Sequence, residues 1–456
     1  PELAERTARA CAVEATTNLG IDVTYAPMVD IARDQRWGRV VEGAGEDVLL
    51  GSLFAAARVK GFQGSGPADS RGLLACPKHF LAYGAAESGL DYQGTSVSDR
   101  VLHEVYLPPF KAAFEAGAIF TMASFNTIDG VPATGNKAIL TDLLRDEMHF
   151  SGVVISDFQS ELELIKHGYA KNEKAAAKLA LSAGCDIGMV SGIFPKYVPE
   201  LVRRGELDEA IVDKAVYRIL HVKQQAGLFD DPFHRIDEIA APQQAPAEHI
   251  ALAREAATKS VVLLKNTGSV LPLSKKQKVA LIGPFAKDLK NIDGSWSPFA
   301  PQKASVSLEA GFAEKIPAAQ LLTEDGCGID TAIEGGIKRA VEAAKQCDVV
   351  VLAIGEATNM SGEASSRAEI TLPAAQQALA EALAATGKPL VVLLRNGRAM
   401  ALEGAVREAS AILVTWFLGT ESGHAIADVV FGDQSPSGRL PVTFPIASGQ
   451  QPYYYA

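Results

Sequence analysis

No stretch of the chain reaches 18 consecutive apolar residues, so no membrane-spanning helix is expected. Positive charge is not in excess. The chain has 43 Lys and Arg against 54 Asp and Glu, a formal net charge of -11, which argues against nucleic acid and anionic membrane surfaces as partners. Cysteine is scarce. The five present (Cys11, Cys76, Cys185, Cys327, Cys347) are odd in number and widely spaced, with no Cys-x-x-Cys or Cys/His pattern. Neither a zinc site nor a disulfide framework is therefore expected, and the thiols read as small buried apolar groups. Gly283-Pro284 is not a GxGxxG fingerprint and there is no Walker loop, so no nucleotide cofactor is indicated. Internal repeats and low-complexity tracts are also missing. No signal peptide is visible, and the chain opens on Pro1-Glu2 inside a helical pattern rather than on Met, which suggests a fragment or a processed product.

What is present is a globular composition, 48% hydrophobic and 21% charged over 456 residues, enough for two or more domains. Residues 2–19 have the apolar spacing of a helix closed by Gly20. Apolar strand-like runs then recur at 23–29, 73–76, 118–124, 152–157 and 186–190, with helical patterns between them. Charged residues follow several of these runs directly. Repeated βα units with chemistry at strand ends predict a (β/α) barrel of the TIM type over residues 1–225. About five strands can be counted where a closed barrel has eight, so the opening units are expected upstream of Pro1, with an open sheet as the alternative. Residues 226–250 hold three prolines and little periodicity and read as a linker. A second α/β domain is expected over 251–445, with strands at 279–282, 349–354, 390–394 and 411–415 and helices near 330–346, 373–386 and 422–431. Residues 446–456 read as the start of a further segment.

The chemistry concentrates at strand ends. Gly152-Val-Val-Ile-Ser-Asp-Phe158 delivers Asp157 at the lip of a buried strand, as a nucleophile, a general base or simply the N-cap of the next helix. Lys78-His79 also follow a strand directly. A cation and an imidazole there suit sugar hydroxyls, which both donate and accept, and would keep a nearby carboxylate ionised; a surface lysine beside a histidine satisfied in the core is the equal alternative. Arg33, Arg36, Arg39, Glu42, Glu46 and Asp47 surround Trp37 in a mixed-charge loop that reads mainly as a salt-bridged support for the barrel rim. In Gly355-Glu356 to Arg367, Glu356 lies hard against a strand and reads as structural. Glu363 sits at the tip of a Gly- and Ser-rich loop and suits a movable acid. Trp296 lies in Asp293-Gly-Ser-Trp296, where an aromatic face either stacks on a sugar or anchors packing.

Taken together and in order, KHFLAYGAAE, GVVISDF and GEATNMSGEASSR resemble the β-glucosidases of glycoside hydrolase family 3. WGRVVEGAGED, AGCDIGM, SVVLLKN and TWFLGTESGHAIADVVFGDQSPSGRLPVTFP match as well, so the resemblance runs over essentially the whole chain. It implies a (β/α) barrel followed by an α/β sandwich, often with a fibronectin-like domain after it. It also implies a nucleophile at Asp157, an acid/base at Glu363, and first-subsite contacts from Arg39, Lys78 and His79. Phe158, beside Asp157, and Trp296 are further candidate substrate contacts. Three departures stand out. The first barrel strands would precede Pro1, the C-terminal β-sandwich is not in the chain, and Leu90 and Phe125 stand where many relatives carry Arg and Tyr. The GEASSR loop argues against the branch that cleaves N-acetylglucosamine glycosides with an Asp/His pair.

The activity this implies is retaining exo-hydrolysis of terminal β-D-glucosyl residues through a glycosyl-enzyme, with no cofactor and no metal. A β-xylosidase or a broad exo-β-glucanase of the same family is the near alternative, and an inactive sugar-binding protein the distant one. The expected partners are a small β-glucoside or oligosaccharide and at most a second copy of the chain as a homodimer, with no nucleic acid and no membrane. The resemblance also implies a periplasmic or secreted location.

Overall fold

A computed structural model describes residues 1–237, 245–297 and 304–455. The chain divides into two compact units, Pro1–Arg33 with Gly43–Ala245, and Asp34–Glu42 with Pro246–Ala456. Among the described residues no helix is long and apolar enough to cross a membrane.

The first unit opens with the helix Glu2–Leu19. Glu2 and Glu5 lie in its first turn, where the helix end favours negative charge, and Gly20 closes it in the left-handed region at φ 62°. Five parallel segments follow in chain order. β1 (Val23–Thr24) pairs with β2 (Leu74–Ala75), and a Met28–Lys78 bridge extends that ladder. Phe80 bridges to Ala123, next to β3 (Phe120–Met122). The tight hairpin β4 (Thr127–Ile128) and β5 (Val131–Pro132) turns at Asp129 and Gly130, both at positive φ, as a two-residue hairpin loop favours. β6 (Val153–Ile155) pairs in parallel with β3, and Ile155 bridges to Ile187, the fifth segment.

Side chains along β6 alternate between two apolar clusters. Val154 joins Ala75, Phe80 and Ala123, while Val153 and Ile155 join Leu74, Cys76 and Met122. Both faces of the sheet are thus covered, which is why these runs read as continuously apolar. Asp186, at the entry to the fifth segment, is buried and accepts from Arg145, Arg218 and the backbone N–H of Val154.

The first unit extends beyond residue 225, where a linker was expected to begin. Arg235 is buried, and its guanidinium donates to Gly72 O, Pro67 O and Asp22 Oδ1. These three acceptors hold 226–237 to the unit. Residues 238–244 of the expected linker lie outside the described residues, as does Ala456 of the expected terminal segment.

The second unit begins with the helix Ala247–Ser260 and holds a six-stranded sheet. Its strands are β7 (Val262–Asn266), β8 (Val279–Ile282), β9 (Leu321–Glu324), β10 (Val349–Gly355), β11 (Leu390–Arg395) and β12 (Ala411–Val414), in the order β7-β12-β11-β10-β8-β9. All pairs are parallel except β12–β7. The four strands expected from the sequence are the central ones. β7 and β9 were not expected as strands. They are the edges, and their Lys, Asn, Thr and Glu residues interrupt the apolar run that marks a buried strand. β10 and β11 are buried at every position, and each buried Val, Leu or Ile contributes about 1.5–3 kcal/mol. Helices Gly336–Lys345, Ala374–Ala384 and Ser422–Val430 alternate with the strands.

The sequence reading placed the loop 34–42 in the barrel domain, as a support for its rim. Its contacts place it in the second unit. The N–H of Gly362 donates to Gly38 O at 2.7 Å and that of Arg367 to Arg36 O at 2.9 Å. A Cβ on Gly38 would run into Gly362 O, so glycine is what permits this approach.

Candidate active site

In the first unit, three strand ends converge on His79. Asp30 follows the first parallel segment, and its Oδ2 lies 2.8 Å from His79 Nδ1 and 3.0 Å from the His79 backbone N. A carboxylate held on Nδ1 orients the ring and aims Nε2 away from it. Nε2 faces Asp157 Oδ2 at 3.5 Å, an ion-pair distance rather than a well-formed hydrogen bond. The imidazole side chain has no exposure and the Asp157 side chain 12%. Tyr83 packs edge-on against His79 at 5.3 Å and donates its hydroxyl to Asp91 Oδ1 at 3.1 Å. Phe125 and Tyr92 extend this aromatic wall.

Asp157 does not cap the helix that follows. Its Oδ1 accepts from Phe158 N at 2.7 Å, one residue on, whereas a cap would receive an N–H two or three residues into the helix. The helix Ser160–Lys166 starts instead after Gln159, which is in the left-handed region at φ 54° and makes no side-chain cap. Ser156 positions the turn, donating Oγ to Asp157 O and accepting from Met189 N. The carboxylate thereby stays at the strand end, and Phe158 beside it is exposed. Lys78 continues the second segment, its N–H donating to Pro27 O and its C=O accepting from Val29 N. Burial raises the Cys76 thiol pKa well above its ordinary value, with Lys78 opposing and Asp157 reinforcing the shift, so both charges act on the same buried sulfur.

In the second unit, β10 ends at Gly355 with φ 137°, where a Cβ would strike Arg395 O on β11. Glu356 follows and is fully buried. Its Oε1 accepts from Arg398 Nε at 2.9 Å and Arg367 Nη1 at 2.7 Å, and its Oε2 from Gly397 N at 3.1 Å. Glu363 lies further along the loop, with its side chain 23% exposed. Arg39 forms a two-pronged pair with Glu42 at 2.7 and 3.0 Å, and its Nη1 stands 3.8 Å from Glu363 Oε1. Ser295, next to the exposed Trp296, packs under Gly362, and Trp296 itself is at φ 58°. The structure therefore brings His79 to Asp157 in the first unit, and Arg39 and the Trp296 loop to the Glu363 loop in the second.

Two family models match the chain, the glycosyl hydrolase family 3 N terminal domain over residues 1–222 and the family 3 C-terminal domain over 261–456. The chain belongs to glycosyl hydrolase family 3. It is 43% identical to the periplasmic beta-glucosidase of Salmonella typhimurium over 98% of its own length and 62% of that relative. It is 36% identical to a beta-xylosidase of Formosa agariphila, covering all of this chain and 65% of that one. The crystal structure of a Listeria innocua beta-glucosidase in complex with isofagomine superposes with a TM-score of 0.95 at 40% identity, covering 100% of this chain and 63% of that chain. A beta-glucosidase involved in saponin metabolism from intestinal bacteria matches with a TM-score of 0.92 at 32% identity, over 99% of this chain and 67% of that chain. The family 3 chain thus spans about three-fifths of the length of the curated relatives it matches first.

Sequence reasoning about this family 3 chain missed Asp30, Asp91 and Arg398. Asp30 carried the same signal as Asp157, a carboxylate directly after an apolar run. Asp91 and Arg398 carried none, because what they do depends on Tyr83 and on residues 35–37.

Proposed function

We propose that the protein to which this chain belongs is a retaining, exo-acting β-glucosidase with Asp157 as nucleophile and Glu363 as acid/base. The observation that carries the reading is the placing of Asp157. It is a nearly buried carboxylate at a parallel strand end, released from helix capping and faced by an imidazole that Asp30 orients. An Asp157 oxygen attacks the anomeric carbon while the Glu363 proton passes to the departing glycosidic oxygen, leaving a glycosyl-enzyme ester. Glu363, now a carboxylate, takes a proton from water as that water attacks the same carbon and expels Asp157. Lys78, His79 and Arg39 supply charge and hydrogen bonds to the sugar hydroxyls, and Phe158 and Trp296 supply apolar faces. The five parallel segments are part of a (β/α) barrel in this reading, and the α/β sheet unit is the sandwich domain. The substrate is a β-glucoside or oligosaccharide. The periplasmic relative supports a periplasmic or secreted location.

The test is an aryl β-glucoside assay of Asp157→Ala and Glu363→Ala. Azide is expected to rescue Glu363→Ala, yielding a β-glycosyl azide, and to leave Asp157→Ala inactive. Wild-type turnover by Asp157→Ala would overturn the assignment. The beta-xylosidase relative favours a second reading, activity on β-xylosides. Comparing kcat/KM on matched glucoside and xyloside substrates decides between them.

A further inference from the structure

The residue that organises the Glu363 loop is Arg398, which neither the strand pattern nor the motifs singled out. It follows β11, and its side chain has no solvent exposure. A guanidinium has five N–H donors in a rigid plane, and all of them find acceptors here. Nε donates to Glu356 Oε1 at 2.9 Å. Nη1 donates to Gln35 O at 2.9 Å and Arg36 O at 3.0 Å, with Trp37 O at 3.4 Å. Nη2 donates to Met360 O at 2.6 Å and Ser365 O at 2.9 Å.

These acceptors fall into two groups. Met360 and Ser365 flank Glu363 on either side, so Nη2 draws together the two stems of the loop whose tip carries that carboxyl. Gln35, Arg36 and Trp37 lead directly into Arg39, whose Nη1 faces Glu363 Oε1. A single planar cation therefore sets the separation between the segment bearing Arg39 and the loop bearing Glu363. Glu356 fixes the plane of that cation, and Arg367 shares the Glu356 carboxylate. Lysine would keep the charge but not the geometry, since its donors radiate from one atom.

We infer that Arg398, oriented by Glu356, is a positioning residue for proton transfer at Glu363, acting through the backbone of residues 35–37 and of the 360–365 loop. The inference rests on the reading of Glu363 as the acid/base. It predicts a loss that depends on how much the leaving group needs a proton. A general acid contributes about 10²–10⁴-fold when the leaving group is poor, and little when it departs unaided.

The experiment compares kcat/KM for an alkyl β-glucoside, whose leaving group needs protonation, with that for 2,4-dinitrophenyl β-glucoside, whose leaving group does not. Wild type, Glu363→Ala and Arg398→Lys are measured together, with a melting transition recorded for each. Arg398→Lys is expected to lose at least about tenfold more on the alkyl glucoside than on the dinitrophenyl glucoside, a weaker form of the Glu363→Ala pattern. Equal losses on both substrates, with Glu363→Ala still selective, would overturn the positioning role and leave the acid/base assignment standing. Equal losses for Glu363→Ala would remove that assignment and the inference with it. Should Arg398→Lys fail to fold, Glu356→Gln carries the same comparison. It keeps the side-chain size, removes the charge that orients the guanidinium and replaces one accepting oxygen with an NH₂ that cannot accept from Arg398, Arg367 or Gly397, and a uniform loss there overturns the proposal.

Discussion

His79 is held by Asp30 at both its ring and its backbone nitrogen, and it meets Asp157 with the ring nitrogen that remains. The three residues are far apart in sequence, at 30, 79 and 157, and each directly follows a parallel segment. This arrangement makes Asp30 a positioning residue for the ring. Replacing it with Asn removes a charge-assisted hydrogen bond worth about 1.5–3 kcal/mol, and the amide's own NH₂ competes for the ring. With the proposed β-glucosidase activity as the readout, Asp30→Asn is therefore expected to lower kcat/KM about 10- to 100-fold on an aryl β-glucoside, with the fold intact by circular dichroism. An unchanged kcat/KM would mean that His79 needs no orienting partner. The sequence made each of these side chains visible as a strand-end group. It carried no sign that Asp30 and His79 are partners, because pairing across separate βα units leaves no local pattern.

Elements in this fold are tied together by buried charges as well as by apolar faces. Asp186 joins the fifth parallel segment to β6 through Val154 N, and to the helices around it through Arg145 and Arg218. Its side chain is 1% exposed and that of Arg145 is 9% exposed. Burial raises the Asp186 carboxyl pKa against the pull of both arginines. Burial also brings the Arg145 guanidinium down to about 10 against the pull of Asp186. Removing one partner leaves an uncompensated buried cation, so Asp186→Ala is expected to destabilise the first unit by about 3–5 kcal/mol, measured by urea unfolding. A change below about 0.5 kcal/mol, as for a surface site, would show that water compensates Arg145 in the variant. The segment Asp34–Glu42 shows how far an element can depart from its sequence neighbours. Its charges suggested a self-contained salt-bridged loop, and Arg36–Asp34 and Arg39–Glu42 do pair locally. Its carbonyls, however, are satisfied by Arg398, more than 300 residues further along the chain.

Each unit of the molecule has its own apolar core. Val154, Phe80, Phe110 and Leu144 belong to the first, and Val350, Leu352, Val392 and Leu394 to the second. The backbone passes between the units at 33–34, 42–43 and 245–246. Separate cores predict unfolding that is not two-state. Calorimetry is expected to give a calorimetric enthalpy larger than the van't Hoff enthalpy, and Asp186→Ala is expected to move the first unit's transition more than the second's. A single transition with equal enthalpies would show that the chain unfolds as one cooperative body.

Much of this protein is determined by its sequence alone. Continuous apolar runs mark the strands buried on both faces, and carboxylates and cations placed just after them mark where chemistry is offered. Ordered motifs assign the family. Solvent exclusion imposes such patterns locally, so they can be read without a structure. Tertiary structure alone decided the rest. It shows that Asp157 is not a helix cap, because Gln159 turns left-handed before the helix begins. It pairs Asp30 with His79, and it hands residues 34–42 to the second unit. Each outcome depends on which distant donor satisfies a buried acceptor, and hydrophobic periodicity does not encode that choice.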